Sequence, residues 1–419
     1  MFPFGKIAFS MLMIIPTIVL NPMFWVVVVL VSAQYSRINH IRERMLGSAA
    51  ASPMRLTAVA ALYGFAGGII GSFIFIFIGV TINGAGLAYI WPLALLLMFI
   101  EPRFLCFSYA GGLVALSNLI FGFPDVSIPE LMSLIAVLHM VESILIWVSG
   151  HEGAVPVFVK DIKGRLLGGF SLQKFWPIPI IAMMVMMPDM ARFRDLFRNA
   201  IHMPEWWPLI KPGITPPPGK ELIYLMFAIP AALGYGDIAL ARMPLDRSKA
   251  TAKHLMLFSV ALLMLAVASA KYSFLRFLAA LFSPIGHEAV INIGRRMEFQ
   301  GDPLFVKPEK GLKILDVVPG SAADRVGLRT GDIILSVNGE ETNSKSDLMR
   351  ILQSEPPHLY IEGISPEPGG RARTFTKTML GNIEVLGIIS VPEPGEPFYI
   401  DLNHVTPLKR FLRWLRGDV

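Results

Sequence analysis

Long apolar runs separated by short polar connections occupy the first two thirds of the chain. An α-helix needs about 20 mostly apolar residues to cross the hydrocarbon core of a bilayer. Six runs are interpreted as spans: Leu56–Ile82, Gly86–Ile100, Phe104–Phe121, Ile128–Val148, Glu221–Leu240 and Leu255–Ala270. Three stretches are ambiguous because they are short or contain proline or arginine: Lys6–Val31, Ile178–Met187 and Tyr272–Ile285. The pattern predicts a polytopic α-helical membrane domain over residues 1–292, with 6–9 spans.

After residue 292, alternating apolar positions, turns and an amphipathic helix replace the long apolar runs. Ile333–Val337 is followed by Asn338-Gly339, a strong hairpin signal. Ser344–Gln353 carries its apolar residues on one side, which is typical of a helix packed on a core. Further strands are predicted at Lys310–Val318, Leu359–Gly363 and Arg373–Thr378. The pattern predicts a small soluble domain over residues 296–392 and an extension over residues 393–419.

The composition indicates a membrane protein and excludes an ordinary soluble enzyme. Hydrophobic residues make up 54% of the 419 positions and charged residues only 16%, with a mean hydropathy of +0.57. Soluble globular proteins carry roughly a quarter charged residues. Residues 1–292 hold 21 basic and 14 acidic residues, whereas residues 293–419 hold 16 and 17, so the charge balance changes where the pattern does. The one cysteine, Cys106, excludes an intramolecular disulfide, and we expect no cysteine-based metal site.

Basic residues in short connections predict which of them face the cytoplasm. The first long connection is placed inside by Arg37, Arg42, Arg44 and Arg55. Basic residues also place the connection over residues 150–175 on that side.

Residues 406–416 are predicted to form a basic amphipathic helix that begins at Thr406-Pro407. Its apolar residues fall on one face at helical spacing, and its basic face suits an anionic membrane surface. The residues predicted to contact anionic lipid are Lys409, Arg410, Arg413, Trp414 and Arg416. Packing on the soluble domain is the alternative, because one apolar stripe serves either purpose. If the helix lies on the membrane, the soluble domain is cytoplasmic.

The segment GLKILDVVPGSAADRVGLRTGDIILSVNGEE, which begins at Gly311, resembles the bacterial PDZ domains of periplasmic serine proteases and site-2 proteases. The resemblance implies a small, partly open β-barrel with two helices. Its peptide groove would lie between strand Leu312–Val317 and helix Ser346–Gln353, where a partner's extended tail adds as a strand. The predicted groove residues are Gly311, Leu312, Lys313, Ile314, Leu348, Ile351 and Leu352. Alternatively, a segment of the protein itself, such as Phe398–Leu402, covers the groove.

Candidate catalytic residues are few. A zinc peptidase needs two histidines one helical turn apart with a glutamate between them. In Gly286-His287-Glu288-Ala289-Val290-Ile291 the position of the second histidine is Ile291, and the sequence has no Gly-x-Ser-x-Gly motif. We therefore expect no catalytic residue, no metal and no cofactor. The polar residues left without a role are His139, Glu142, His151, His287, Glu288 and Asp237.

Two interpretations of these polar residues stay open. A metal site would require the His/Glu pairs of different segments to converge, and Asp237 is a candidate transport or proton site. The simpler interpretation is that such residues pair with one another inside the membrane or face a cavity.

The layout of the whole chain, with membrane segments first and one PDZ domain last, resembles the MinJ-like family of Gram-positive division-site proteins. The stretch Ser-Pro-Ile-Gly-His-Glu before the PDZ domain and the Gly168-Gly169-Phe170-Ser171 connection contribute to the resemblance. In that family the protein is an adaptor that links the curvature-sensing protein DivIVA at poles and septa to the Min division inhibitor.

The resemblance implies a non-catalytic scaffold in the cell membrane, with its PDZ domain in the cytoplasm and enrichment at septum and poles. The implied partners are division proteins of the DivIVA and Min types and further copies of the chain, and no nucleic acid. The alternative is a membrane-embedded metallopeptidase-like or envelope-signalling protein in which the PDZ domain is regulatory.

Overall fold

The computed structural model describes residues 1–46, 52–161, 164–187, 200–212, 222–366, 372–381, 383, 385–396 and 399–401. The predicted amphipathic helix 406–416 lies outside the described residues. Contact of that helix with the membrane surface therefore stays a prediction.

The membrane half consists of helices and a long β-ribbon. Its elements in chain order are α1 (Phe4–Val19), α2 (Pro22–Leu46), α3 (Pro53–Ile78), α4 (Leu87–Ile100), a 3₁₀ turn (Pro102–Leu105), α5 (Phe107–Phe121), α6 (Ile128–Ser149), β1 (Val155–Lys160), β2 (Leu166–Met186), β3 (Ile223–Ala239), α7 (Pro244–Lys271) and α8 (Phe274–Phe299).

Within the described part of the chain, four helices are long and apolar enough to cross a membrane, namely α3, α6, α7 and α8. Helices α1 and α2 meet at a bend of 70° and add a fifth span if they are taken together. The predicted run Phe104–Phe121 is divided at Cys106, and α4 and α5 have only 14 and 15 residues. The structure therefore does not confirm 6–9 spans. Helix α8 also continues past residue 292, so the domain boundary stays a prediction.

Two apolar stretches expected to be helical form β-strands instead. The predicted span Glu221–Leu240 is strand β3, and the ambiguous stretch Ile178–Met187 lies in β2. The two strands pair antiparallel over 17 positions. A uniformly apolar run has no period that separates a buried strand from a helix. The better signal is proline, which is unfavourable inside a helix and occurs here at Pro177, Pro179 and Pro230.

Helix α3 uses small residues to approach both α6 and the β-ribbon. A Cβ atom added at Gly64 or Gly68 would overlap a carbonyl oxygen of β2, and one added at Gly71 would come within 2.7 Å of Val141 in α6. The hydroxyl of Ser72 accepts a hydrogen bond from the backbone N–H of β2 at 2.8 Å. Small residues let backbones meet directly at such points. The length of the ribbon is therefore held against α3 without intervening side chains.

The C-terminal domain combines a six-stranded sheet with two helices. In chain order its elements are β4 (Leu312–Val317), α9 (Ala322–Arg325), β5 (Ile333–Val337), β6 (Glu340–Glu341), α10 (Lys345–Gln353), β7 (His358–Pro366), β8 (Ala372–Leu380) and β9 (Ile388–Ser390). The strand order is β8-β7-β5-β4-β9, and β6 pairs with β5. A last strand, β10 (Ile400–Asp401), pairs with β1 of the membrane half.

Phe305 docks the C-terminal domain onto the base of the β-ribbon. Its side chain is 2% exposed, and its ring lies edge-on to that of Phe170 with the centroids 5.5 Å apart. The carbonyl oxygen of Phe305 accepts a hydrogen bond from the N–H of Gly168 at 2.9 Å. Leu315 of β4 and Ile389 of β9 belong to the same apolar cluster as the membrane helices. The domain therefore shares a core with the membrane half.

Candidate functional site

Strand β4, which was predicted to receive a partner's tail, is paired on both sides. Its first two residues pair with β5, and its last residues pair with β9. The N–H of Val391, just after β9, donates to the carbonyl oxygen of Lys313 at 3.0 Å. A paired edge has no free backbone groups for another strand. The predicted addition of a partner at Leu312–Val317 is corrected accordingly, since it would require β9 to leave.

The covering segment belongs to the protein itself, but it differs from the suggested one. Ile388–Ser390 lies along β4. The suggested segment Phe398–Leu402 is described only at residues 399–401, where β10 pairs with β1. A peptide groove must therefore be sought at the outer edge of β9.

The seven predicted groove residues lie close together, but mostly inside the domain. The N–H of Gly311 already donates to Oδ1 of Asn343 at 2.8 Å, so it is not free for a terminal carboxylate. Nζ of Lys313 donates to the carbonyl oxygen of Leu304 at 2.6 Å. Five apolar side chains are buried in the core of the domain: Leu312, Ile314, Leu348, Ile351 and Leu352. Contact of these residues with a partner stays a prediction.

Among the described residues β9 is the outermost strand of this sheet, and its outward backbone groups can be identified. Ile314, which lies opposite Ser390, directs its N–H to Asp332 and its C=O to Gly331, both away from β9. In an antiparallel ladder, two residues opposite each other either both bond across the pair or both point away. The N–H and C=O of Ser390 therefore point away from β4, although Ser390 as a whole is only 8% exposed.

The start of helix α10 contacts the segment that follows β9. Ile388 of β9 packs against the apolar cluster that contains Leu348 and Leu352 of α10. The N–H of Lys345, at the start of the helix, donates to Oε1 of Glu393 at 3.2 Å. These contacts bring the end of β9 near the start of α10, and we call the surface between them the β9–α10 groove.

Charges around this groove are set by burial and by one helix cap. The Ser344 hydroxyl and then the backbone N–H of Asn343 lower the pKa of Asp347 in the first turn of α10. A carboxylate is favourable at that end of a helix. In β4, burial raises the pKa of Asp316 and lowers the pKa of Lys313, because it disfavours either charged form.

Residues 313–361, which run from β4 into β7, match the PDZ domain family. The chain is also 24% identical over 235 residues to the cell division topological determinant MinJ of Bacillus subtilis (strain 168). The chain therefore contains a PDZ domain and is similar to MinJ over part of its length. The alignment covers 56% of this chain and 54% of MinJ, so the chain spans about half the length of this curated relative. The resemblance predicted from the layout and the PDZ motif is confirmed.

Asp237, considered in the sequence, and Glu152, the neighbour of His151, are both held by partners. Asp237 lies on strand β3 and not late in a helical span, and its Oδ1 accepts from the guanidinium of Arg247 at 2.8 Å. Thr251 donates to the other oxygen of Asp237 at 2.8 Å. Glu152, next to His151, lies 3.3 Å from Nζ of Lys174. Such pairing is the simpler of the two interpretations open from the sequence.

Three further polar residues meet where α5, α6 and α8 come together. Nε2 of His139 lies 3.0 Å from Sγ of Cys106, and Nε2 of His287 lies 3.6 Å from the same sulfur. Sequence reasoning missed Cys106 as a member of this group, because it is 33 residues from His139 and 181 from His287. No spacing rule connects positions so far apart.

Glu288, the candidate general base of the incomplete zinc motif, is held by other groups. Its carboxylate accepts from Arg103 at 2.9 Å and from the hydroxyl of Tyr109 at 2.6 Å. Glu142, one turn after His139 on α6, interacts electrostatically with that histidine. The carboxylate of Glu288 therefore has a counter-charge in Arg103. Ile291, at the position of the second histidine of a zinc motif, has no side-chain atom that could bind a metal.

Proposed function

We propose that this chain is a non-catalytic membrane adaptor whose PDZ domain recruits partner proteins in the selection or organisation of the division site. The observation that carries the proposal is a PDZ domain built onto a membrane core, in a chain similar to a cell division topological determinant. In this function the membrane half positions the PDZ domain, and the PDZ domain selects the partner.

The docking of the PDZ domain supports a positioning role. Phe305 and the hydrogen bond to Gly168 fix the domain to the ribbon, and the ribbon is fixed to α3 by direct backbone contact. A partner that binds the domain is then held at a constant distance from the bilayer. An anchor without such a function would need only one span.

The same contacts support a cytoplasmic position of the PDZ domain. Gly168 belongs to the connection over residues 150–175, whose basic residues predict a cytoplasmic position. Arg42, from the first basic connection, is close enough to Asp316 of the PDZ domain to interact with its charge. The proposed location of the PDZ domain is therefore the cytoplasm, where division proteins of the DivIVA and Min types are the proposed partners.

The proposed recognition site is the β9–α10 groove. An extended peptide that adds to a sheet edge is held by main-chain hydrogen bonds. The N–H and C=O of Ser390 point away from β4, so a peptide could pair there once the residues that cover Ser390 make room. Leu348 and Leu352 of the helix belong to the apolar core against which Ile388 of β9 packs. Pairing at β9 leaves the existing pairing of β4 undisturbed.

The test is the cellular position of a C-terminal GFP fusion in the native host, in the wild type and in two proline variants. Ser390→Pro removes the outward N–H of β9, and proline is tolerated on an edge strand at such a position. Thr378→Pro is the matched control on β8, at the opposite edge. Thr378 pairs with Tyr360, whose N–H and C=O are directed to Asn338 of the β5 side, so the N–H of Thr378 also faces outward.

We expect septal and polar fluorescence for the wild type and Thr378→Pro, and uniform membrane fluorescence for Ser390→Pro. A uniform pattern for the wild type would remove the division role. Because GFP fluoresces poorly when it is exported unfolded, an expressed but dark fusion would put the PDZ domain outside. A septal pattern that Ser390→Pro leaves unchanged would move the recognition site away from β9.

A further inference from the structure

The most unusual chemistry of the membrane half lies where Cys106, His139 and His287 meet. Cys106 ends the 3₁₀ turn, His139 lies in the middle of α6, and His287 lies in α8 after Pro284. One ligand atom from each residue lies within 4.8 Å of the other two. The ring centroids of the two histidines are 5.0 Å apart. Three separate segments therefore direct one sulfur and two nitrogens to a single point.

The tautomer of His139 follows from its hydrogen bond. Nδ1 of His139 lies 2.7 Å from the carbonyl oxygen of Ile135, and a carbonyl only accepts, so Nδ1 carries the proton and donates. In the neutral ring Nε2 then has a lone pair, and it points at Cys106. A carbonyl that fixes the far nitrogen of a histidine is the usual outer partner of a metal-binding imidazole.

Hydrogen bonds among these three residues do not satisfy all their polar atoms. A thiol has one proton to donate; Oγ of Ser108 lies 3.3 Å from Nε2 of His139 and can donate to it, which leaves the thiol proton for Nε2 of His287. Nδ1 of His287 is buried and has no hydrogen-bond partner among the described residues. If Nε2 of His287 donates to sulfur, Nδ1 keeps an unpaired lone pair in an apolar place. Leaving such a group unsatisfied costs about 1–3 kcal/mol, and among the described residues Nδ1 of His287 has no partner with or without a metal. A cation at the centre would accept electron pairs from sulfur and both Nε2 atoms, so none of these three atoms would need a proton.

We propose that Cys106, His139 and His287 bind a thiophilic d¹⁰ metal ion, Zn²⁺ or Cu⁺, inside the membrane half. Thiolate and imidazole are the donors that both ions prefer. The Phe258 ring lies 5.6 Å and 5.7 Å from the two imidazoles, and the Tyr109 ring lies 5.3 Å from His287. These rings cover part of the cluster, while Cys106 and His287 stay half-buried and accessible to a reagent. The proposal replaces the sequence expectation that the chain has no metal.

Charge distinguishes the two ions. A thiolate and two neutral imidazoles carry one negative charge, so Cu⁺ gives a neutral centre. Zn²⁺ leaves one positive charge, and burial of a net charge is unfavourable unless it is paired. Glu142 on α6 is the nearby carboxylate that acts on His139, while Glu288 is already paired with Arg103. The bound ion would link the turn before α5 to α6 and to α8, the helix that leads into the PDZ domain.

The first experiment uses the single cysteine as its own reporter. The full-length protein in detergent is incubated with N-ethylmaleimide after addition of Zn²⁺, Cu⁺, Mg²⁺ or no metal, and intact mass reports the alkylation of Cys106, because the chain has 1 cysteine. We expect Zn²⁺ or Cu⁺ to slow alkylation at least about tenfold and Mg²⁺ to have no effect. Bound metal after dialysis is expected at about one ion per chain.

The second experiment compares ligand variants with a matched control. Cys106→Ser and His287→Gln are each expected to weaken binding at least about tenfold, the smallest effect of losing even an outer partner. His254→Gln is the control, because His254 also has a buried, unpartnered Nδ1 but lies on α7 outside the cluster. It should bind metal like the wild type.

If only Zn²⁺ or only Cu⁺ slows the alkylation of Cys106, that result supports the site and identifies its metal. Unchanged alkylation with both ions would overturn the proposal and leave a thiol–imidazole hydrogen-bonded chain. Full metal binding by Cys106→Ser would likewise overturn it, by moving the metal elsewhere. The alkylation result on the wild type stands even if a variant fails to fold. Neither experiment involves the PDZ domain, so its outcome is independent of the proposed adaptor function.

Discussion

Replacing Phe305 by alanine is expected to undock the PDZ domain without unfolding it. The ring is buried between the domain and the ribbon, and loss of a buried Phe side chain costs about 3–5 kcal/mol. About 0.5–1.5 kcal/mol of this is the edge-on contact with Phe170. Since about 1.4 kcal/mol is a factor of ten, the docking equilibrium should shift by roughly a hundredfold to a few thousandfold. The apolar core of the PDZ domain does not include Phe305.

Amide hydrogen exchange measured by mass spectrometry on the full chain in detergent would report this undocking. Two N–H groups cross the contact: that of Gly168 donates to Phe305, and that of Leu304 donates to Leu240, each at 2.9 Å. Both should lose protection in Phe305→Ala, while strands β5 and β7 inside the PDZ domain keep theirs. Leu304→Ala is the neighbouring control, because its side chain is 36% exposed and its N–H remains. Leu304→Ala should change the free energy of docking by no more than about 0.5 kcal/mol.

Two results would refute the reasoning. If β5 and β7 lose protection together with Gly168, Phe305 is needed for the domain to fold and not only for docking. If Gly168 and Leu304 stay protected in Phe305→Ala, the domain is held by contacts other than this ring.

Two further predictions concern the packing of α3 and the pH dependence of the PDZ domain. Gly64→Ala should lower the unfolding temperature, since its methyl group would overlap a carbonyl of β2 and overpacking costs about 1–3 kcal/mol. Gly5→Ala is the control, because Gly5 has open space around it. Equal unfolding temperatures for the two variants would contradict this packing. Burial raises the folded-state pKa of Asp316 above its usual 3.8, so stability should fall as the pH rises from that value through the raised pKa. Asp316→Asn should lose this slope and be the more stable form at neutral pH in thermal unfolding, and an unchanged slope would assign the dependence to another group.

The PDZ domain could be predicted from the sequence because its elements are local and well marked. Ile333–Val337 with its Asn338-Gly339 turn occurs as predicted, and the amphipathic helix differs by one residue at its start. Strand β9 was not predicted, because it has three residues and pairs with a strand about seventy positions earlier. Missing β9 led to the assignment of the groove to β4.

The membrane half was less predictable because its pattern is uniformly apolar. Helices with polar connections, such as α6, were found nearly to the residue. Strands β2 and β3 have no alternation to distinguish them from spans, and only their prolines argued against helix. The cluster at Cys106 depends on the packing of three segments distant in the chain, which a search for spacing within one helix cannot detect.

The docking of the PDZ domain also changes what a partner must supply in order to bind. The 12 residues between α8 and β4 would, as a free chain, let the domain wander over roughly 20 Å. Docking through Phe305 removes that freedom when the chain folds. The entropy of immobilising the domain is therefore already lost before a partner binds. In the proposed adaptor function, the docked domain would present its binding edge at one height and one angle above the bilayer. Partners would then be discriminated by reach as well as by sequence, because only a tail that arrives at that height could bind.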